Sequence, residues 1–268
     1  MTALPHVALA IAGSDSGGGA GIHADLATFR AFGVHGASAI TAVTAQNTRG
    51  VSGIHAVPPE FVAEQIRTVC RDLPVAAAKT GMLAGPATVD AVAGALEECG
   101  VSSLVVDPVR VSTTGTPLLA HEARETLLRR LIPQALVVTP NLAEAEWLVD
   151  APVRTVDEMR AAAQALHARG PGWVLIKGGH LPGRALDVLF GGSGFTDFEV
   201  DRIDTPHLHG TGCVLSAALA ALLARGVPVP EAVAGAKAHV TGAIRHAVGL
   251  GRGAGWVNPA WNLRPEAT

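Results

Sequence analysis

The chain of 268 residues has no tyrosine, only three cysteines, and few charged residues. Aromatic residues make up 4% of the chain, too few for a surface on which nucleic-acid bases stack. The net charge of −3 gives no reason to expect nucleic acid or an anionic membrane as a partner. No apolar run approaches the length of a membrane-spanning helix. The cysteines are far apart and lack metal-binding spacing, which excludes a structural zinc site and a disulfide framework. We therefore expect a cytoplasmic protein.

Short apolar segments alternate with segments of helical periodicity along the whole chain, and the hydrophobic fraction of 49% is ample for a core. This alternation is typical of a mostly parallel sheet covered by helices on both faces, a three-layer α/β/α sandwich. No linker, repeat or low-complexity tract interrupts it, so we expect a single domain over residues 1–268. The predicted strands cover 6–12, 37–47, 75–82, 102–109, 135–139 and 173–177, followed by a hairpin of 186–190 and 198–203. The predicted helices cover 22–32, 58–71, 88–98, 118–131, 155–169, 214–225 and 231–248.

The stretch Thr205-Pro-His-Leu-His-Gly-Thr-Gly-Cys213 leads directly into an apolar helix that Gly226 is placed to end. Residues 210–213 are thus predicted at a helix N-terminus, where unpaired backbone N–H groups form an anion site. A thiol in the first turn is expected to have a lowered pKa, so that Cys213 becomes available as thiolate. The alternative is a glycine turn before a core helix, with an inert cysteine.

A second glycine-rich loop, Gly13-Ser-Asp-Ser-Gly-Gly-Gly-Ala-Gly21, joins the first strand to the first helix. Gly19-x-Gly21-x-x-Ala24 fits a loose dinucleotide fingerprint, but the acidic residue required about 20 positions later is missing. A phosphate-binding loop of the G-x-x-x-x-G-K-[ST] type is also absent. The loop therefore predicts either a ligand at the carboxyl end of the sheet or only a tight turn.

Five polar side chains stand at predicted strand ends or at the helix starts that follow them. The Gln46 amide could read a heterocycle or cap a loop, and Asp107 is either a loop cap or a carboxylate on the Mg²⁺ side. Asn141 and Glu144 have the spacing of a capping box, which is compatible with a place for Glu144 near metal and phosphates. Lys177 precedes two glycines and suits a phosphate contact, although a surface lysine is the commoner case.

From Ala12 to about Trp261 the chain resembles the hydroxymethylpyrimidine/phosphomethylpyrimidine kinases of thiamine biosynthesis, members of the ribokinase-like superfamily. Seven motifs occur in the family's order, each at a strand-to-helix junction. They are Ala12-Gly-Ser-Asp-Ser-Gly-Gly-Gly-Ala-Gly-Ile-His-Ala-Asp25, Thr44-Ala-Gln-Asn-Thr48, Lys79-Thr-Gly-Met82, Val106-Asp-Pro-Val109, Thr139-Pro-Asn-Leu-Ala-Glu-Ala-Glu146, Lys177-Gly-Gly-His180 and His209-Gly-Thr-Gly-Cys213.

The resemblance implies a ribokinase-like fold, a homodimer, and ATP and Mg²⁺ as cofactors. The implied reaction is phosphorylation of 4-amino-5-hydroxymethyl-2-methylpyrimidine and then of its monophosphate. Gln46 is implied to hydrogen-bond the aminopyrimidine, in a pocket lined by Gly13, Asp25 and Met82 with Val109 nearby.

The same resemblance implies a phosphate side of the site. Asp107 and Glu144 are expected near Mg²⁺, directly or through water, and Lys177 on the phosphates. Cys213 takes the place that aspartate holds in sugar kinases of the superfamily, as the base facing the substrate hydroxymethyl group. The backbone anion hole is expected from Gly210, Thr211 and Gly212.

One departure from the family follows Asp107-Pro-Val109, where methionine and then a lysine are common. Here the run is Arg110-Val-Ser-Thr-Thr-Gly115, so Arg110 either contacts phosphate or alters the pocket rim. The sequence does not decide how residues 112–114 shape the lid. Pyridoxal kinase is the nearest alternative, because its substrate is also a flat heteroaromatic ring with a hydroxymethyl group. A non-catalytic binding protein is disfavoured, since the phosphate-side groups are present.

Overall fold

The computed structural model describes residues 6–263, so the two ends of the predicted domain, 1–5 and 264–268, lie outside the described residues. Its strands are β1 (Val7–Ala12), β2 (His35–Ile40), β3 (Ala42–Asn47), β4 (Gly50–Ala56), β5 (Val75–Thr80), β6 (Leu104–Val106), β7 (Val137–Val138), β8 (Trp173–Lys177), β9 (Ala185–Phe190) and β10 (Phe195–Val200). Its α-helices are α1 (Gly21–Ala31), α2 (Pro59–Asp72), α3 (Pro86–Cys99), α4 (Ala123–Thr126), α5 (Leu142–Val149), α6 (Val156–His167), α7 (Thr211–Ala224) and α8 (Val229–Arg245).

Eight strands form one sheet in the order β10-β9-β8-β7-β6-β5-β1-β2. The six strands β8, β7, β6, β5, β1 and β2 are mutually parallel, whereas β9 pairs antiparallel with both β8 and the edge strand β10. Alternate residues of β1 enter different cores: Leu9 and Ile11 pack with α2, α3, α5 and α6, and residues 8, 10 and 12 pack with α1, α7 and α8. The predicted three-layer sandwich with a mostly parallel sheet is confirmed.

Helix α7 crosses the middle of the sheet, and ten of its fourteen residues are buried. Small side chains let the helix approach the sheet closely, because alanines on α7 face the alanines at positions 8, 10 and 12 of β1. Gly226 follows the helix in a left-handed conformation (φ +78°), as predicted for its end. This packing brings the N-terminus of α7 to the carboxyl edge of the parallel strands.

The segment 37–47 is not one strand, as the sequence predicted, but two. The chain turns at the buried Thr41, whose side-chain hydroxyl donates to the carbonyl oxygen of Met82 over 2.6 Å. Beyond this residue β3 leaves the main sheet and pairs antiparallel with β4, which the sequence analysis missed. Most residues of β4 are exposed and two are glycine, so it carries no apolar signal.

Several other boundaries also differ from prediction. The strands predicted at 102–109 and 135–139 shorten to β6 and β7, and the helix predicted at 118–131 begins at 123. That helix continues as a π-helical turn over Leu127–Leu131 and a 3₁₀ turn over Ile132–Gln134. Within residues 6–263, none of the helices has the length and apolar character needed to cross a membrane.

Candidate active site

A cavity of about 600 Å³ opens at the carboxyl edge of the parallel strands. The residues that follow β1, β5, β6, β7 and the end of β8 all contribute to its wall, as expected for a ligand site in an open α/β sheet. Eleven of the twelve predicted site residues line it: Gly13, Gln46, Met82, Val109, Asp107, Glu144, Lys177, Gly210, Thr211, Gly212 and Cys213. The twelfth, Asp25, does not.

The two glycine-rich loops interlock beside the cavity. Gly210 caps α7 in a left-handed conformation (φ +85°), and a Cβ there would overlap the carbonyl oxygen of Gly19. A side chain at Gly21, also left-handed (φ +56°), would overlap the carbonyl oxygen of Gly13 in the same way. At Gly212, by contrast, a Cβ would lie 3.6 Å from Lys177 Nζ, an ordinary contact. The glycine at 212 therefore keeps space open in front of Lys177, whereas the other two are needed for the fold.

Lys177 forms the centre of a charge cluster in the cavity. Its Nζ lies 2.8 Å from Asp107 Oδ1 and 3.9 Å from Glu144 Oε2. Asp107 also accepts hydrogen bonds from Thr139 Oγ1 (3.3 Å) and Ser216 Oγ (3.2 Å). The lysine carries its charge because the attraction of Asp107 and Glu144 outweighs its burial and raises its pKa. The predicted surface-lysine alternative for Lys177 is wrong.

Glu144 is held by the capping box predicted from its spacing to Asn141. The Asn141 side chain accepts from the Glu144 backbone N–H (2.9 Å), and Glu144 Oε2 accepts from the Asn141 backbone N–H (2.8 Å). Burial raises the pKa of the Glu144 carboxyl to about 7; Asp107 adds to the rise and Lys177 opposes it. One helix start thus serves both as a cap and as part of the cavity wall.

Cys213 lies in the first turn of α7, as predicted, but its thiol is not acidic. Burial raises the pKa of the Cys213 thiol to about 11, and the nearby Asp25 and Asp107 carboxylates contribute to the rise. Lys79 and the Gly21 backbone act in the opposite direction without reversing it. The expectation of a lowered pKa is therefore wrong, because desolvation outweighs the favourable field of the helix N-terminus.

Asp25 lies behind the cavity wall rather than in it. Its two carboxylate oxygens each accept a hydrogen bond of 2.8 Å from Lys79 Nζ, and both side chains are 0% exposed. Burial raises the pKa of Asp25 to about 6 despite this partner. Asp25 is therefore not a pocket-lining residue in this structure. The pairing with Lys79 was missed because an apolar strand gives no signal for a buried partner.

His209 links three segments at the Gln46 end of the cavity. Its Nε2 lies 2.9 Å from Asp15 Oδ2 and 3.2 Å from Gln46 Nε2, and its Nδ1 lies 3.1 Å from Thr113 Oγ1. Although Asp15 is buried, its hydrogen bonds to His209 and the Gly17 N–H lower its pKa. Asp15, Gln46 and His209 belong to the motifs of the sequence and Thr113 to the divergent run 110–115, but no spacing rule joins these four positions.

The segment 110–115 covers the cavity, with Val111, Ser112 and Thr113 in its wall. Arg110 turns the other way, and its guanidinium carbon lies 5.8 Å from the centre of the Trp147 ring, a cation–π arrangement. The Arg110 guanidinium therefore packs on Trp147 and is not among the residues that line the cavity.

The end of the cavity opposite Gln46 was not predicted. It has an apolar wall that includes Val200, Val240 and Ile244. Beside this wall Lys237 Nζ lies 2.6 Å from Asp187 Oδ2, and Asp187 Oδ1 accepts from the backbone N–H of residue 178 over 3.0 Å. These residues stand on β9, β10 and α8, far apart in sequence.

Residues 15–258 match the family model described as phosphomethylpyrimidine kinase. A hydroxymethylpyrimidine/phosphomethylpyrimidine kinase of Mycobacterium leprae is 50% identical over 258 residues, 94% of this chain and 92% of that protein. The thiamine biosynthesis bifunctional protein of Geobacter sulfurreducens is 51% identical over 93% of this chain, which spans 51% of that protein's length.

Two solved structures are similar over most of the fold. The phosphomethylpyrimidine kinase of Clostridium difficile has a TM-score of 0.80 and 42% identity, covering 89% of this chain and 99% of that one. An ADP complex of Bacillus subtilis pyridoxal kinase has a TM-score of 0.90 and 38% identity, covering 97% of this chain and 100% of that one.

Proposed function

The chain belongs to the phosphomethylpyrimidine kinase family, and from that premise we propose that it uses ATP to phosphorylate hydroxymethylpyrimidine and then its monophosphate. One observation carries the proposal: Lys177, two carboxylates and the N-terminus of α7 converge between the Gln46 end and the apolar end of one cavity. A phosphoryl group in transfer needs such a place, with acceptor and nucleotide on opposite sides.

Charge stabilisation is the main task of a site that transfers phosphate. We assign Lys177 and the backbone N–H groups of Gly210, Thr211 and Gly212 to the negative charge of the transferred group. Cys213 faces the same space, and as thiolate it accepts the proton of the substrate hydroxyl while the hydroxyl oxygen bonds to the γ-phosphorus and the bond from that phosphorus to ADP breaks. Burial raises the pKa of the Cys213 thiol to about 11, so in the free protein the thiol is mostly protonated and has to lose its proton to solvent before it acts as the base.

The carboxylates of the cavity fit a magnesium ion that takes most of its ligands from water and substrate phosphates. Asp107 and Glu144 offer two carboxylates beside the phosphate position. Among residues 6–263, no group of three or more metal-binding side chains is arranged around one point. Mg²⁺ commonly takes one or two carboxylates, and its remaining ligands are water and substrate phosphates. Bound Mg²⁺ would neutralise phosphate charge, and the protein's part is to hold these two carboxylates in place.

We assign the aminopyrimidine to the end lined by Gly13, Gln46, Met82 and Val109. A donor and an acceptor on the Gln46 amide suit a ring that carries both. We place the nucleotide base against the apolar wall at the other end. Pyridoxal kinase is less supported as the activity, because identity is 50% to the curated pyrimidine kinase of M. leprae and 38% to the solved pyridoxal kinase of B. subtilis.

Three features of the whole molecule complete the proposal. We propose one folding unit over the chain, a location in the cytoplasm where ATP is supplied, and a homodimer. The β3–β4 hairpin supports the dimer, because it projects from the main sheet with Val43 and Ile54 half-exposed. Equilibrium sedimentation of the wild type and of Val43→Asp tests the dimer; a monomeric wild type contradicts it.

The decisive assay offers Mg²⁺-ATP with hydroxymethylpyrimidine or pyridoxal in separate reactions and identifies the products by mass. The proposal expects a pyrimidine monophosphate followed by a diphosphate. Pyridoxal phosphate as the sole product would establish the alternative activity. Absence of turnover with both substrates would instead support a binding protein.

A further inference from the structure

A single arginine gathers the loop between β8 and β9. Arg202, two residues after β10, donates from Nε to the carbonyl oxygen of Gly183 (2.9 Å) and from Nη1 to that of Gly179 (2.7 Å). Its Nη2 donates to the carbonyl oxygen of Leu181. All three guanidinium nitrogens therefore bind backbone oxygens of one seven-residue connection, 178–184.

Apart from the hydrogen bond of Gly178 to Asp187 at one end and the ion pairs of Arg184 at the other, this connection depends on Arg202 for its shape. It contains three glycines, one of them in the left-handed region at Gly183 (φ +86°). Its backbone is outside the sheet, with a turn hydrogen bond from Leu181 N–H to the carbonyl of Gly178. A planar guanidinium presents its donors in a rigid fork, so three carbonyls can meet it together only when the loop holds one conformation.

The loop forms a wall of one end of the cavity. Gly179 and His180 line the cavity together with Arg202, on the side away from Gln46. Lys177 stands immediately before the loop, and the Asp187 carboxylate anchors the N–H of Gly178. A displaced loop would therefore change the nucleotide end of the cavity and leave the pyrimidine end intact.

We propose that Arg202 is a positioning residue for the nucleotide, acting by holding the carbonyl groups of residues 179, 181 and 183 in one arrangement. The proposal rests on the proposed function for its assignment of the nucleotide to this end. Arg202 has no part in the transfer step, since its guanidinium is committed to the loop.

Arg184 offers a matched control. It lies at the end of the same loop, carries the same charge, and pairs with Glu199 (3.3 Å) and Asp201 (3.1 Å) instead of with loop carbonyls. Arg184→Gln removes a cation and two surface ion pairs without touching the three hydrogen bonds to the loop.

The experiment compares wild type, Arg202→Gln, Arg202→Lys and Arg184→Gln by steady-state kinetics and by calorimetric titration with Mg²⁺-ADP. We expect Arg202→Gln to raise KM for ATP and Kd for ADP by about tenfold, or about 1.4 kcal/mol, with KM for the pyrimidine changed less than about twofold. Arg202→Lys should fall between wild type and Arg202→Gln, because an ammonium keeps the charge but lacks the fork. Arg184→Gln should match wild type.

An ADP affinity of Arg202→Gln within twofold of wild type would overturn the proposal. So would an equal loss in Arg184→Gln, or an equal rise in KM for both substrates, since either would show a general effect on the hairpin or fold. The titration does not depend on catalysis. If wild type fails to phosphorylate the pyrimidine, the proposed function falls, and ADP affinity still decides the role of Arg202.

Discussion

A methyl group added at Gly210 would overlap the carbonyl oxygen of Gly19, whereas one added at Gly212 would meet only ordinary contacts. We therefore expect Gly210→Ala to lose both stability and activity, the first by more than about 1 kcal/mol because the position is also left-handed. Gly212→Ala should unfold at nearly the wild-type temperature and yet lose about 100-fold in kcat, since its methyl occupies phosphate space.

Thermal unfolding and initial rates of both variants give the comparison. Full activity in Gly212→Ala would show that phosphate does not approach this turn. A stable Gly210→Ala would show that the two glycine loops can separate without cost to the fold.

The high pKa of Cys213 leads to a prediction about pH. A base acts when deprotonated, and with a pKa of about 11 in the free protein the thiolate fraction grows as pH rises. The wild-type kcat/KM should therefore increase from pH 7 to 9, because kcat/KM reports groups of the free enzyme. Cys213→Asp should reach its plateau at lower pH, since a carboxyl ionises more readily.

The matched control is Cys99→Ala, which removes a thiol outside the cavity and should leave the profile unchanged. Cys213→Ala should lose on the order of 10²- to 10⁴-fold in kcat. Full turnover in Cys213→Ala would rule out Cys213 as the base.

For individual residues, the sequence predicted which side chains line the cavity, with the exception of Asp25, but it did not predict their pKa values. The resemblance to the kinase family implied that Lys177, Glu144 and Cys213 share one site, and all three line the cavity. The pKa of Cys213 depends on burial and on Lys79. The place of Asp25 behind the cavity wall depends on its pairing with Lys79, which is 54 positions from it in the sequence. Such long-range contacts leave no trace in local spacing.

Two helices of the fold begin with a capping box, one at the cavity and one at an exposed helix start. Asn141 with Glu144 caps α5 at the cavity, and Thr155 with Glu158 caps α6 at an exposed helix start. Replacing either cap residue by alanine should cost about 1 kcal/mol of unfolding free energy. We expect only Asn141→Ala to lower kcat/KM, by about tenfold, because its helix start also positions Glu144.

Chemical denaturation and steady-state kinetics of Asn141→Ala and Thr155→Ala measure the two effects. Equal kinetics in the two variants would mean that the cap and the catalytic site are uncoupled. A stability loss in neither variant would contradict the capping role itself.

Elements with a strong internal pattern were predicted best. Helices α2, α3 and α6 appear within two residues of their predicted ends, since their amphipathic or glycine-bounded patterns are local. The division of 37–47 at Thr41 was not foreseeable, because it depends on a hydrogen bond to Met82 and on a hairpin partner, β4, with mostly exposed residues. The short β6 and β7 lose their ends to the loops that carry Asp107 and Asn141.

The whole sheet contributes to the cavity, from Gly13 after β1 to Lys177 at the end of β8. We therefore expect one cooperative unfolding transition, shifted as a unit by ligands at either end of the cavity. Mg²⁺-ADP at about 100 times its Kd should add about 2.7 kcal/mol and raise Tm on the order of 5 °C. Differential scanning calorimetry with ADP and with the pyrimidine checks this; two transitions of which a ligand moves only one would contradict it.

Helix α7 has a consequence for the growing chain on the ribosome. The face of β1 that carries Ala8, Ala10 and Ala12 is covered by residues 211–224, which are made about 200 residues later. At roughly 5–20 residues per second, the first strand waits on the order of tens of seconds for that cover. A nascent chain stalled before residue 211 therefore exposes the apolar centre of its sheet, and during this interval a chaperone that holds unfolded chains has an apolar surface to bind.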